Sequence, residues 1–228
     1  MASTYTDLGI ELMATGETAG TWGTKTNANL NLIEQLTGGF ATLSIAGGAG
    51  TQALDIDDGA LTGTAQQRII EFSGSITGNR VITIPNDVET FYFLKNSTSG
   101  AYTVEFKYAT GSGSSTTFST TDKGIKTVYA SANDGTNPDI VDVMANSSEI
   151  VLANNNPIKF NDADNSAFVG IDAPATVSGS YTLTLPAGVG SADQALVTTD
   201  GAGTLGFTST STFGISTGKS IAMAIVFG

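Results

Sequence analysis

RIIEFSGSITGNRVITIPNDVETFYFL, the sequence of residues 68–94, decides the fold of this 228-residue chain. It holds three short stretches rich in β-branched and aromatic side chains, at 68–72, 80–84 and 90–94, with Gly, Pro, Asn and Asp residues between them. Five-residue stretches of this kind, bounded by turn residues, are typical of β-strands. The segment therefore predicts three successive strands joined by short connections.

The same pattern continues on both sides over residues 41–146, where strand-like stretches recur about every 10–15 residues. The clearest further strands are predicted at 102–106, 125–129 and 139–143, and we expect about seven or more strands in all. Regularly spaced short strands separated by turn residues are typical of two-sheet and barrel folds. Residues 41–146 are therefore predicted to form a β-sandwich or barrel-like domain.

The composition agrees with a β-rich protein and lacks the usual catalytic side chains. The chain holds 34 Thr and 28 Gly residues, while only 13% of its residues are charged. Thr suits the pleated surface of a sheet, and Gly suits the tight turns between short strands. There is no Cys and no His, which excludes thiol catalysis, nucleophiles activated by His, disulfide bonds and the commonest zinc ligands. We therefore expect a protein that is not an enzyme and that binds no cofactor.

Charge and hydropathy restrict the partners. The chain has 9 basic and 21 acidic residues and a net charge of −12, which is the wrong sign for a surface that binds phosphates, so no nucleic acid is expected. Its first ten residues, MASTYTDLGI, have neither a basic start nor an apolar core. No apolar run approaches the ~18 residues of a membrane span. We expect neither a signal peptide nor a membrane span.

Two acidic stretches, 55–59 (DIDDG) and 161–165 (NDADN), offer oxygen atoms of the kind that bind Ca²⁺. Neither keeps the acidic spacing, the central Gly and the closing Glu of an EF-hand loop. An acidic turn is therefore the expected structure at both positions, and no metal site is predicted. The acidic residues also form no cluster with aromatic residues of the kind expected in a sugar-hydrolysing cleft.

Residues 1–40 form the part of the chain with helical periodicity. Leu30, Ile33 and Leu36 fall on one stripe of a helix predicted from Asn27 to Leu36, and Trp22 precedes it. Two interpretations of Trp22 stay open: a core anchor of a short lobe, or a side chain that docks into a partner. A helix this short is marginal alone, so it needs an apolar surface to lie on. The candidate docking residues in this segment are Leu8, Trp22, Leu30, Ile33 and Leu36.

Residues 147–228 are predicted to form a separate, thin β module. Large side chains are sparse here, and a strand at Tyr181–Leu185 would place Tyr181, Leu183 and Leu185 on one face. A module that cannot enclose a core of its own is expected to bury its apolar face against identical copies. The apolar run 221–227 would be an aggregation hazard as a free edge. The candidate subunit contacts are Tyr181, Leu183, Leu185, Phe207, Ile221, Met223, Ile225 and Phe227.

Several motifs resemble proteins of tailed bacteriophages. Residues 5–17 (YTDLGIELMATGE), 20–27 (GTWGTKTN) and 29–35 (NLNLIEQ) resemble the N-terminal signature of virion structural and tail-fibre-like proteins, especially those of phages of marine bacteria. A second set is similar to a short module of trimeric phage fibres and related surface fibres, and the end of the chain also resembles phage proteins of this kind. The set similar to the fibre module comprises 173–177 (APATV), 181–186 (YTLTLP), 193–201 (DQALVTTDG) and 203–207 (GTLGF). The end of the chain is the stretch 218–228 (GKSIAMAIVFG).

The resemblance implies a virion protein without enzymatic activity, assembled as a homotrimer, with one end bound to the particle through other virion proteins. The second part is then a fibre-like β module, and the expected location is the tail. Fibres that bind the host are often longer than this chain, so a short fibre, a connector or a decoration protein is expected. The alternative location is the capsid surface, as a head fibre or a capsid decoration (cement) protein.

Host attachment is a further expectation. Residues 111–117 (GSGSSTT) predict an exposed loop tip, which is either a solvated connection or a contact loop. In the second case the chain is a receptor-binding module that recognises a glycan or a protein of the host surface. Binding of the isolated chain to immobilised host material separates the two cases.

Overall fold

The computed structural model describes residues 2–133, 135–152 and 156–213. Strands make up 34% of the chain and helix 9%, so the prediction of a mainly β protein is confirmed. The chain divides into two compact units, residues 1–150 and 151–228. The first forty residues belong to the same unit as the β domain that follows them, and the second unit begins at Val151.

Within the described residues, the first unit consists of one helix and a series of short strands. The helix is α1 (Trp22–Gly38), and the strands are β1 (Thr4–Tyr5), β2 (Glu11–Leu12), β3 (Phe40–Ser44), β4 (Gly50–Ala53), β5 (Ile69–Ser73), β6 (Arg80–Ile84), β7 (Thr90–Asn96), β8 (Val104–Tyr108), β9 (Thr116–Phe118), β10 (Ile125–Ala130) and β11 (Ile140–Asp142). Strands at the six positions where the sequence predicts them most clearly are therefore present, with ends shifted by at most two residues.

Most of these strands follow a parallel coil. Strands β3, β5 and β7 lie parallel in a five-stranded sheet of order β11-β10-β7-β5-β3, while β4, β6 and β8 lie parallel in a four-stranded sheet of order β4-β6-β8-β9. The chain alternates between the two sheets, so β3–β4, β5–β6 and β7–β8 are successive turns of the coil. Ile69 pairs with Phe93 and Arg80 with Val104, a spacing of 24 residues in both sheets, whereas the preceding step takes 29 residues from Phe40 to Ile69 and 30 residues from Gly50 to Arg80. Strands β9, β10 and β11 then pair antiparallel with their neighbours and end the coil.

The hydrophobic core lies between the two sheets. One cluster of buried side chains draws on both, including Phe72 and Tyr92 from the five-stranded sheet and Ile82 and Phe106 from the four-stranded sheet. The rings of Tyr92 and Phe106 meet edge to face, with their centroids 5.5 Å apart. The two larger sheets of the first unit therefore pack around one core, and among the described residues no sheet closes into a barrel.

Helix α1 is longer than its sequence periodicity indicates. It begins at Trp22, five residues before the predicted start at Asn27, and ends at Gly38. The residue before the helix, Thr21, makes no side-chain capping bond. Among the described residues, no helix is both long and apolar enough to cross a membrane.

The second unit consists of two small hairpins in its described part. Strands β12 (Ile158–Asn161) and β13 (Phe168–Ile171) pair antiparallel, as do β14 (Gln194–Thr198) and β15 (Leu205–Ser209), and a short 3-10 helix follows at Thr210–Phe213. The predicted strand at 181–185 is wrong as an extended element, because only Thr184 forms a bridge, to Thr204. Its backbone exchanges two hydrogen bonds with Gly203 and Leu205, and this single contact does not continue into a ladder.

Candidate docking and assembly surfaces

The N-terminal segment is fastened to the end of the β domain. Leu8 is half-buried and packs against the core, and the fully buried Gln66 donates its side-chain N–H groups to the carbonyls of Leu8 (3.0 Å) and Asp57 (3.3 Å). Gly9 has a φ of +78°, and a Cβ there would lie 2.6 Å from Gln66 Nε2. Of the five candidate docking residues, Leu8 therefore packs within the first unit.

Helix α1 is fixed to the β1–β2 hairpin by polar contacts. Lys25 Nζ lies 2.8 Å from Glu11 Oε2, and the Glu11 side chain is almost fully buried. The Asn29 side chain bonds both backbone groups of Glu11, accepting from its N–H at 3.0 Å and donating to its carbonyl at 2.8 Å. The hydrogen bond from Lys25 lowers the pKa of Glu11, against the opposing effect of desolvation. These contacts hold one face of the helix against the unit.

Beside these polar contacts, α1 presents apolar side chains to solvent. Trp22 is 64% exposed, Leu30 57% and Ile33 46%, and Trp22 and Ile33 stand about three turns apart on the same side of the helix. In contrast, Leu32 is fully buried and Leu36 is half-buried. Trp22, Leu30 and Ile33, hereafter the helix stripe, are therefore the candidate docking residues that the structure brings together on one exposed face.

The candidate contact residues of the second unit are also exposed. Tyr181, Leu183 and Leu185 are all more than half exposed. Phe207 lies on β15 opposite Leu196, and a Cβ at Gly190 would lie 2.5 Å from its ring. Ile221, Met223, Ile225 and Phe227 lie outside the described residues. Among the described residues, no hydrophobic side chain after Ile140 is classed as buried.

The carboxylates of the two acidic stretches accept hydrogen bonds from residues nearby in the chain. Asp55 accepts hydrogen bonds from the backbone and the hydroxyl of Thr64, which lower its pKa, and Asp57 accepts from Thr62. In the second stretch, Asp162 and Asp164 accept from the hydroxyl and the backbone N–H of Ser166. Among the described residues, no group of three or more acidic side chains is placed to hold a metal ion.

An open cleft of about 600 Å³ lies beside the first acidic stretch. The N-terminal segment and the loops after β4 and β6 line it, and they contribute the carboxylates of Asp7, Asp55, Asp58 and Asp87. The sequence separates these acids by up to 80 positions, so spacing alone could not bring them together. Their common charge favours a hydrated, anion-repelling cleft.

Sequence reasoning missed the outer face of the five-stranded sheet. Phe40, Phe91, Phe93 and Ile125 lie there with large exposed side chains, because residues that alternate with the buried ones point away from the core. The signal is present in β7, where Phe91 and Phe93 flank the buried Tyr92, so both faces of the strand are apolar. Apolar residues on both faces of a strand are typical of a strand that is covered on both sides.

Comparisons of the chain with protein-family models, with curated proteins and with solved structures find no match.

Proposed function

We propose that this chain is a structural protein of a tailed bacteriophage particle, without enzymatic activity, of the short tail-fibre type, that completes its structure on partner chains. The phage-type motifs at 5–35 and 173–207 support the proposal from the sequence. The structural observation that carries it is the second unit, whose described hairpins leave their large apolar side chains exposed.

A two-stranded hairpin is marginally stable in water at best, because it has no face to bury. The two hairpins of the second unit each have two strands. All eight residues of β12 and β13 are exposed, among them Phe160 and Phe168. Burial of such side chains is worth ~1.5–3 kcal/mol each, so association would supply stabilisation that the described hairpins lack by themselves. A homotrimer, as in the fibres that the motifs resemble, provides this burial with identical surfaces.

The N-terminal end is the proposed attachment point. The helix stripe offers three large apolar side chains on one face, the pattern with which an amphipathic helix enters an apolar groove of a partner. Trp residues are also frequent among the side chains that contribute most to binding. The partner is therefore another virion protein that presents an apolar groove.

The attachment is tested by comparing Trp22→Ser with Asn31→Ser, since both residues are exposed on α1 and Asn31 lies on another face. Particles assembled with the Trp22→Ser chain are expected to contain less of this protein, while Asn31→Ser particles contain the normal amount. Quantitative mass spectrometry of purified particles measures both. Equal amounts in the two variants would refute docking by the helix stripe.

The location on the particle is tested by electron microscopy with gold-labelled antibodies against residues 1–150. Label on the tail is expected. Label on the capsid shell would replace the tail-fibre proposal with that of a head fibre or decoration protein, and a complete lack of label and of peptides in purified particles would overturn the virion proposal. The trimer is tested by light scattering, for which the expected mass is three times 23.2 kDa.

A further inference from the structure

The two sheets of the first unit differ in their outer faces. In the four-stranded sheet, most outward positions are occupied by polar residues, with Glu105 and Lys107 on β8 and Thr117 on β9, and Val81 on β6 is the large apolar exception. Such a face is suited to solvent. The outer face of the five-stranded sheet carries large apolar side chains instead, at Phe40, Ile69, Phe91, Phe93, Ile125, Tyr129 and Val141.

Strand register brings these apolar side chains together into one patch, hereafter the aromatic face. Phe40 pairs with Ile69, and Ile69 pairs with Phe93, which forms a continuous row across β3, β5 and β7. A neighbouring row runs from Phe91 to Tyr129, whose rings lie 5.2 Å apart at a tilt of 41°. Residues far apart in the sequence therefore form a contiguous surface.

The aromatic face is large enough to be the centre of an interface. Phe40, Phe91 and Phe93 leave 42–56% of their surface exposed, and Ile125 leaves 67%. Since a large side chain has ~200 Å² of surface, these four expose ~400 Å² together. This is the size of patch that is often functional on a monomer. It is about half of the ~800 Å² that each partner buries in a stable complex, and the polar residues around it supply a rim.

Charge identifies the partner of this face. Its outward strand positions include just two charged side chains, Glu71 and Lys95, which pair at 2.8 Å. The Glu71 carboxylate also accepts hydrogen bonds from Thr42 and Ser97. The hydrogen bonds from Lys95 and Ser97 hold the pKa of Glu71 down to about 2. The strand positions of the face are thus neutral, although the chain carries a net charge of −12. One further carboxylate, that of the exposed Glu89, lies at the margin of the face and accepts a hydrogen bond from the Tyr129 hydroxyl at 2.9 Å. Copies of so acidic a chain repel one another unless they meet through a neutral, apolar surface.

We propose that the aromatic face is the surface through which copies of this chain associate in the first unit. The inference rests on the proposed function in one respect, since it takes self-association as given and assigns it a surface. When identical aromatic faces meet around a symmetry axis, the Phe side chains of one copy contact those of another. The neutral Glu71–Lys95 pairs then lie at the rim of the interface. A basic partner, by contrast, would be drawn to the acidic parts of the chain.

The test compares Phe93→Glu with Thr117→Glu in the full chain. Both positions are exposed and face outward, on opposite sheets, so each variant adds one negative charge to one outer face. Sedimentation equilibrium measures self-association over a range of protein concentrations. Phe93→Glu is expected to weaken association about 100-fold or more, as expected for a charge placed at the centre of an interface. Thr117→Glu is expected to leave association within a factor of about three of the unmodified chain.

A second measurement does not depend on the folding of Phe93→Glu. The chain has no Cys, so Ile125→Cys and Thr117→Cys each introduce a single thiol. The thiol at position 125 is expected to react about ten-fold more slowly with a maleimide when the protein is concentrated than when it is dilute, because association covers it. The thiol at position 117 is expected to react at one rate throughout.

Each possible result decides the inference. Association that is lost selectively in Phe93→Glu, together with protection of position 125, supports it. Four results overturn it. Two concern the Glu variants: association survives in Phe93→Glu, or it is lost equally in both variants. The other two are a thiol at position 125 whose reaction rate depends on protein concentration no more than that at position 117, and a chain that is a monomer at every concentration. None of these measurements depends on where the protein lies on a particle, so the microscopy separates a failure of the virion proposal from a failure of this one.

Discussion

The inward direction of Ile82 gives a sharp test of the fold. In β6, Ile82 is fully buried between the sheets, while its neighbour Val81 points outward and is half-exposed. Both residues are β-branched, and they are adjacent in the sequence RVITI. Their replacement by Ala therefore compares the two faces of one strand with little difference in backbone preference.

The expected costs differ by a factor of about three or four. Ile82→Ala removes three carbon atoms from a fully buried site, which is worth ~2.4 kcal/mol at ~0.8 kcal/mol per methylene group. The cavity left between rigid sheets raises the loss to ~3–4 kcal/mol, within the usual range for such changes. Val81→Ala removes two carbon atoms from a site that is partly exposed to water, so the expected loss is smaller, ~1 kcal/mol.

Urea titration followed by circular dichroism measures both losses as changes in the free energy of unfolding. In a thermal scan, the expected decreases in Tm are ~10 °C for Ile82→Ala and ~3 °C for Val81→Ala. A larger loss for Val81→Ala would show that β6 has the opposite face toward the core, and equal losses would show that its two faces are buried alike. Either result would contradict the packing of the two sheets around Ile82.

Two further predictions concern buried polar contacts. Tyr108→Phe removes a hydroxyl that donates to the Val88 carbonyl at 2.7 Å and accepts from the Ala132 N–H at 2.8 Å, so we expect a loss of ~1–3 kcal/mol in the free energy of unfolding. The exposed control Tyr102→Phe is expected to lose less than ~0.5 kcal/mol, and similar urea midpoints for the two variants would contradict this prediction. Glu71 has a pKa of about 2 in the folded protein and an ordinary value of 4.5, so its stabilising contribution is complete above pH 4.5 and is lost as the pH falls through about 2. The difference in Tm between the unmodified chain and Glu71→Gln is therefore expected to shrink between pH 5 and pH 2, and a difference that stays constant would refute this role.

The candidate contact residues show how far sequence reasoning reaches. Leu30, Ile33 and Leu36 could be selected as docking residues because helical spacing places them near one another, and Trp22 could be selected as the single Trp of the chain, just before the predicted helix. Leu8 and Leu36 stood in the same group, whereas both are partly buried in their own unit. Helical spacing defines which residues share a face, but the neighbours that cover a face come from distant parts of the chain. For α1, the recorded neighbours are the β1–β2 hairpin, through Glu11, and the loop after β4, through the Leu61 carbonyl.

The aromatic face could not have been found by the same means. Phe40 and Phe93 join one row through Ile69, a connection that depends on the parallel register of three strands. Alternation along a strand shows which residues share a side of that strand, but it names neither the neighbouring strand nor the direction in which it runs. The sequence pattern is therefore compatible with the antiparallel pairing of a sandwich, and it does not show that β3 to β8 pair in parallel.

By itself, the sequence determined the β-rich character of this protein, the positions of most strands in residues 68–142, and the lack of Cys and His chemistry. These properties depend on the preferences of residues within a few positions of one another and on composition. Tertiary structure alone decided that β3 to β8 coil in parallel, that Leu32 faces inward while Trp22 faces solvent, and that one sheet has a polar outer face and the other an aromatic one. These features depend on contacts between residues that are distant in the chain, and such contacts are selected by the burial of the whole core.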